Sequence, residues 1–163
     1  MKILVISDTH NVTSYLTNTL LPKYADEIQI AVHLGDFAVD LMRSQSAFPN
    51  IKMVGVGGSS EYREEGEHIL EVGDGEFKRR IFLLHGHTVD VKTNLDRLIN
   101  RARQKEVHAC FFGHTHMPVV FEEHGIFFMN PGSLSRPPVY KEKSYGLVTV
   151  SMQGNFHGEV IEL

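Results

Sequence analysis

Cysteine is almost absent from this chain. Cys110 is the only one in 163 residues, which excludes an internal disulfide framework. It sits inside the apolar run Ala109-Cys110-Phe111-Phe112, so an inert buried thiol is expected. Long apolar stretches are also missing. A membrane span needs about 20 apolar residues, and no run here approaches that, so no membrane partner is expected. The opening Met1-Lys2-Ile3-Leu4-Val5-Ile6-Ser7-Asp8 does not resemble a signal peptide, because its apolar run is short and ends on an acid. The expected compartment is the cytoplasm. Excess positive charge is missing too: 16 Lys and Arg stand against 20 Asp and Glu, a formal net charge of −4. Such a balance does not describe a surface that coats nucleic acid, although bound metal ions would still let it take a phosphate ester. Internal repeats, low-complexity tracts and flexible linkers are absent. The length suits one domain over residues 1–163. Nothing in it sets the oligomeric state, and a homo-oligomer stays open.

The chain is 42% hydrophobic, enough for a sizeable core. Its front half alternates strand and helix patterns. Strand Lys2–Ile6 precedes a helix near Val12–Tyr24, strand Ile28–Leu34 precedes a helix near Ala38–Ala47, and strand Lys52–Val56 follows. This βαβαβ rhythm predicts parallel strands with helical crossovers. His68–Val72 and Phe77–Leu84, around Gly73-Asp74-Gly75, read as a β-hairpin with an Asp-Gly turn. Thr93–Lys105 reads as an amphipathic helix with Leu95, Leu98, Ile99 and Ala102 on one face. The remainder reads as short strands: Ala109–Phe112, Pro118–Glu122, Ile126–Asn130, Tyr145–Ser151 and His157–Ile161. Two mixed sheets packed face to face, with helices outside, satisfy both halves.

What is abundant is histidine, ten in all, and several fall where strands should end. Asp8-Thr9-His10 follows the first strand, Gly35-Asp36 the second, His85-Gly86-His87 the hairpin, and Gly113-His114-Thr115-His116 the run Ala109–Phe112. The carboxyl edge of an open α/β sheet is where ligands bind. Carboxylates mixed with imidazoles suit borderline divalent metals such as Mn, Fe, Ni or Zn. In an extended segment, residues two apart point the same way, so Asp8 and His10 can grip one ion. Asp36 reads either as a carboxylate able to bridge two ions or as the cap of the helix near Ala38. The paired His114 and His116 are costly at a buried strand end unless bonded to hydrogen or metal. His87 reads equally as a substrate contact or as an outer support. His33 reads as a satisfied core histidine, and His68, His108, His124 and His157 as surface or structural. Asn130-Pro131-Gly132-Ser133 reads as a turn that holds the Gly113–His116 loop or touches substrate.

In order and spacing, Asp8-x-His10, Gly35-Asp36, His85, Gly113-His114-x-His116 and Asn130-Pro131-Gly132-Ser133 resemble the calcineurin-like metallophosphoesterases, most of all the small phosphodiesterases of the YfcE type. The resemblance covers essentially the whole chain. It implies an α/β (α+β) fold, a four-layer αββα sandwich of two mixed β-sheets flanked by helices. It also implies a hydrolase using two divalent metal ions, with Mn the first choice. Asp8, His10, Asp36 and His116 would hold the first ion, Asp36 would bridge, and His85 and His114 would hold the second. A hydroxide between the ions would attack phosphorus, which gives Asp36, His85 and His114 the catalytic roles. Substrate contacts would fall to His87, Asn130 and Ser133, and the substrate would be a small phosphate ester, more plausibly a diester.

One departure stands out. After the third strand the family carries Gly-Asn-Cys-Asp or Gly-Asn-His-Asp, where the Asn carbonyl oxygen completes the second metal site. Here the stretch reads Gly57-Gly58-Ser59-Ser60-Glu61. The best match places Ser59 at the Asn, although Gly58 could hold that place instead. A hydroxyl is the weaker and shorter ligand, so the second site is expected to be weak, open to water, or rescued by Glu61. Ser60 cannot replace a histidine acting as general acid, because its hydroxyl is far too weakly acidic. Two rival readings follow. One is a non-catalytic scaffold, since the resemblance extends to the retromer subunit vacuolar protein sorting 29. The other is a mononuclear metal-binding protein. Against the scaffold stand six retained polar residues, Asp8, His10, Asp36, His85, His114 and His116.

Overall fold

The structure, a computed structural model, describes residues 1–60, 66–139 and 141–163. The first sheet contains β1 (Lys2–Ile6), β2 (Ile30–His33), β3 (Lys52–Gly55), β9 (Ser144–Val150) and β10 (Phe156–Glu162). Its order is β10-β9-β1-β2-β3. The second contains β4 (Glu67–Val72), β5 (Arg79–Leu84), β6 (Ala109–Phe112), β7 (Val119–Glu123) and β8 (Ile126–Asn130), in the order β4-β5-β6-β8-β7. Both sheets are mixed. β1, β2 and β3 run parallel, as do β5, β6 and β8, and antiparallel strands flank each trio.

Alternation along the strands builds the layers. Ile3, Val5, Ile30 and Val32 face the other sheet and meet Leu70, Ile81, Leu83, Ala109, Phe111 and Met129 in the central core. Leu4, Ile6, Ala31 and Met53, one residue out of phase, face away and pack under Leu16, Leu20, Leu21, Tyr24 and Leu41. On the second sheet Phe82, Leu84, Cys110, Phe112 and Phe128 face outward, toward Leu98 and Ala102. Period-two patterning thus yields one apolar layer between the sheets and one outside each, the expected four-layer sandwich. A fully buried Phe such as Phe111 contributes about 1.5–3 kcal/mol. Cys110 is fully buried, and burial pushes its thiol pKa up, so the inert reading holds.

The helices are shorter than the periodicity predicts. The helix expected near Val12–Tyr24 runs unbroken from residue 14 to 24, but its middle, Leu16–Leu20, is a π-helical turn leading into α1, Leu21–Tyr24, with Pro22 in its first turn. Proline has no N–H to return to the preceding turn, and that turn widens. The helix expected over Ala38–Ala47 ends early: α2 spans Val39–Met42. Short turns such as Ala47 N–H to Ser44 O follow it, and the Gln45 amide donates to Phe48 O and Ile51 O. α3 spans Asp96–Gln104 rather than Thr93–Lys105, because Asn94 Oδ1 accepts Asp96 N–H and turns the preceding residues out of the helix. The hairpin forms, with Leu70 opposite Ile81. Its connection is not a tight Asp-Gly turn: a 3₁₀ turn over Gly75–Phe77 lengthens it, and the second strand starts at Arg79. No helix among the described residues is long and apolar enough to cross a membrane.

Candidate metal centre

The parallel trios of the two sheets end along one edge. Asp8 follows β1, Asp36 follows β2 and Ser59 follows β3; His85 follows β5, His114 follows β6, and Asn130 closes β8. Asp8, His10, Asp36 and His116 each present a ligating atom within 4.8 Å of the others. His85 Nε2 lies 3.6 Å from Asp36 Oδ1 and 3.9 Å from Asp8 Oδ1, and His114 Nδ1 lies 3.0 Å from His85 Nε2. All six strand-end acids and imidazoles are therefore brought together.

The convergence does not come from extended backbone, as the i, i+2 spacing suggests. Asp8, His10, Asp36, His114 and His116 all have φ between 46° and 67°. That left-handed region costs an L-residue roughly 1–2 kcal/mol, and it persists where surrounding contacts over-determine it. The turn separates the two loop histidines: His116 Nε2 lies 3.1 Å from Asp8 Oδ1, whereas His114 turns to His85. Asp36 is no helix cap, since α2 starts without a side-chain cap bond. Its Oδ1 accepts the Ser60 N–H at 3.0 Å, and the Ser59 hydroxyl reaches its two oxygens at 3.2 and 3.3 Å. A Cβ on Gly58 would collide with Asp36 N and Oδ1. A side chain at 58 would strike Asp36, whereas the Ser59 hydroxyl stands beside its carboxylate. Glu61 lies outside the described residues.

Charge and protonation favour a cation. Burial works to raise the Asp8 carboxyl, but His116, His85 and Ser7 outweigh it and hold the pKa low. Asp36 behaves alike: burial opposes ionisation, while His85, the Ser60 N–H and His10 hold its pKa low. Burial lowers His10, and it lowers His114 to about 4 with help from His85 and Lys92. Against its own partial burial, His116 is raised by Asp8. His85 Nδ1–H donates to Leu34 O at 2.7 Å, and His116 Nδ1–H donates to Arg136 O. Each bond fixes a tautomer that aims Nε2 inward. Asp8 Oδ1 and His10 Nε2 are buried without a hydrogen-bond partner among the described residues, a cost that a shared cation removes. Ionised carboxylates and inward imidazole nitrogens are the donors a divalent ion needs, and at His116 the ion would displace the proton that Asp8 favours.

The supports were largely invisible in the sequence. Ser7 Oγ donates to Asp8 Oδ2 at 2.5 Å. His33 is fully bonded: Nδ1 accepts the Gly35 N–H, so Nε2–H donates to Thr9 Oγ1 at 2.9 Å. Thr9 donates in turn to Asp40 Oδ2 at 2.7 Å, and that oxygen also accepts the Asn11 N–H. The chain ties β2 and α2 to the loop between Asp8 and His10. Asn130 and Ser133 are both 0% exposed. Asn130 Nδ2 donates to Gly113 O and Thr115 Oγ1, and its Oδ1 accepts the Gly132 N–H. Ser133 Oγ donates to Asp8 O. Sealed and fully engaged, they brace the Gly113–His116 and Asp8–His10 loops, one of the two roles read for this turn. His87 stays on the site's rim, 5.4 Å ring to ring from His85, and its buried Nδ1 has no hydrogen-bond partner among the described residues. His68, His108, His124 and His157 are exposed.

A family model described as calcineurin-like phosphoesterase superfamily domain matches residues 1–153. A probable metallophosphoesterase, YsnB of Bacillus subtilis, is 26% identical over 151 residues, 92% of this chain and 85% of its own length. Phosphodiesterase YfcE of Escherichia coli is 41% identical over 71 residues, 44% of this chain and 35% of its own. Among solved structures, the zinc complex of Vps29 from Entamoeba histolytica superposes with a TM-score of 0.71 at 23% identity, covering 99% of both chains.

Proposed function

Because the chain belongs to the calcineurin-like phosphoesterase superfamily, we propose that it is a metal-dependent phosphoesterase acting on small phosphodiesters. The observation that carries this reading is the group Asp8, His10, Asp36 and His116, whose ligating atoms lie within 4.8 Å of one another. Those four would hold one divalent ion, and Asp36 with His85, His114 and Ser59 would hold a second, Mn²⁺ first among the candidates and Fe, Ni or Zn after it. Bound there, such ions lower the pKa of water and neutralise charge on a phosphoryl group. Asp36 lies between the two histidine sets, 3.7 Å from His10 Nε2 and 3.6 Å from His85 Nε2, and would serve both. Ser7 and the Thr9–Asp40 chain hold the first loop in its left-handed turn, so the donors need no rearrangement. His87, on the rim of the site beside His85, would contact the substrate. With Ser60 where the family carries Cys or His, no histidine at that position protonates a leaving group, so esters with good leaving groups depend least on that help. The expected setting is cytoplasmic.

The mononuclear reading draws on the same group of four and on Ser59. Metal content alone does not separate an enzyme from a scaffold, since a Vps29 protein also takes zinc. The test therefore couples metals per chain by elemental analysis with turnover of bis-aryl and mono-aryl phosphates in added Mn²⁺. Two metals per chain with diester turnover supports the reading, one metal favours the mononuclear form, and metal without turnover favours the scaffold.

A further inference from the structure

A groove of about 400 Å³ opens beside the His114–His116 loop, lined by Val91, Leu95, Phe112, Met117 and Val119 together with Lys92. Its inner end is built from both histidine loops. Val91 packs on the backbone between His85 and His87: a Cβ on Gly86 would lie 2.9 Å from its Cγ2. Phe112 is the residue before Gly113-His114, and Thr115, between His114 and His116, forms the floor. Thr115 is pinned there by Asn130 Nδ2 at 3.0 Å and by the Met117 N–H at 3.1 Å.

The lining sorts by chemistry. Its walls are aliphatic, thioether and aromatic, and no carboxylate is among them. Met117 and Val119 leave 39% and 38% of their surfaces exposed at the mouth. The one charge is Lys92, which makes no ion pair with the described residues and whose field reaches both His114 and His116. The volume falls within the range of small-ligand sites, about 300–1,000 Å³. An apolar groove lined by Thr115, the residue between His114 and His116, with one cation in its lining, is complementary to a flat apolar ring joined to an anion.

We propose that this groove is the subsite for an aromatic ring carried on the phosphoryl group, with Lys92 beside its anionic oxygen. The proposal rests on the phosphoesterase reading and names its substrate class. The ring packs between Val91, Met117 and Val119. Either an aryl ester or a nucleobase presents such a ring.

The test uses phosphonates, whose P–C bond is not hydrolysed, with the protein loaded with diamagnetic Zn²⁺. Phenylphosphonate should bind roughly tenfold or more tighter than methylphosphonate, the scale on which an apolar pocket discriminates. It alone should move the Met117 methyl resonance by ring current. Met117→Glu should abolish the preference, read as the ratio of the two affinities because the added charge weakens both anions; Val119→Ala should reduce it; Lys92→Ala should weaken both probes by the same factor. Adenosine 5′-monophosphate against ribose 5-phosphate, read the same way, separates a nucleobase from a directly attached aryl group. Repeating the Met117 measurement on metal-free protein at higher probe concentration tests the groove whatever the metal content. Equal affinities for ring and ringless probes with an unmoved Met117 methyl overturn the proposal, as does a preference that survives both Met117→Glu and Val119→Ala. A ring preference without ester hydrolysis would sink the activity and keep the groove. Hydrolysis that is indifferent to the ring would do the reverse.

Discussion

Gly58 lies so close to Asp36 that a single added carbon would strike both the Asp36 amide nitrogen and its carboxylate. The backbone of the segment after β3 thus forms the seat of the central carboxylate. Gly58→Ala should destabilise the fold by roughly 1–3 kcal/mol, the usual cost of overpacking. Urea unfolding checks this, and metal affinity should fall with it, because the carboxylate can escape the clash only by leaving its place.

Asp36→Asn should reduce metal affinity and ester hydrolysis more than the roughly tenfold that loss of an outer support costs at the least. Its carboxylate faces His10 at 3.7 Å and His85 at 3.6 Å, so it touches both halves of the site. Metals per chain and turnover, measured on the same preparation, decide. Wild-type values in both would show that Asp36 bridges nothing.

Chelation should abolish phosphodiester hydrolysis, and Mn²⁺ should restore it best among divalent ions, given mixed carboxylate and imidazole donors. The check is a titration of each metal into EDTA-treated, desalted protein. Activity that survives complete removal of metal would contradict the proposed chemistry.

Ser59→Asn should tighten the second metal and raise activity at low Mn²⁺. The Ser59 hydroxyl already reaches Asp36 at 3.2 Å, and an amide can keep that bond while adding a carbonyl oxygen. The gain should be about tenfold, or about 1.4 kcal/mol. Two-step Mn²⁺ binding curves for both proteins show whether the second step alone moves.

His33 should make the metal-free fold acid-sensitive. Burial is the main cause that drops its pKa to about 3 from the ordinary 6.5, so between those values the unfolded chain binds a proton that the folded one refuses. Stability is therefore full above pH 6.5 and falls as pH drops toward 3, by up to about 1.4 kcal/mol per pH unit from this group. Urea midpoints from pH 7 to pH 4.5 should fall less steeply in His33→Gln. Parallel slopes would show that His33 is not a source of the acid loss.

Read alone, the chain determined its layers and its ligand types. Ile3 and Val5 against Leu4 and Ile6 already specify which face of β1 meets the other sheet, because side chains alternate along a strand. Asp8, Asp36, His85 and His114 could be named because each follows an apolar run. Helix ends were less legible: Pro22, Gln45 and Asn94 act through one or two hydrogen bonds, or the lack of one, that leave no periodic trace. Only the tertiary structure decided how the ligands converge. The His114 N–H meets Asp8 Oδ2 across 106 residues of chain, a contact set by the order of strands in two sheets packed face to face. It also decided that His114 and His116 part company, since left-handed turns carry no spacing rule. It also supplied the partners of Asn130 and Ser133, Gly113 O and Asp8 O, because the group a polar side chain meets depends on what is packed beside it.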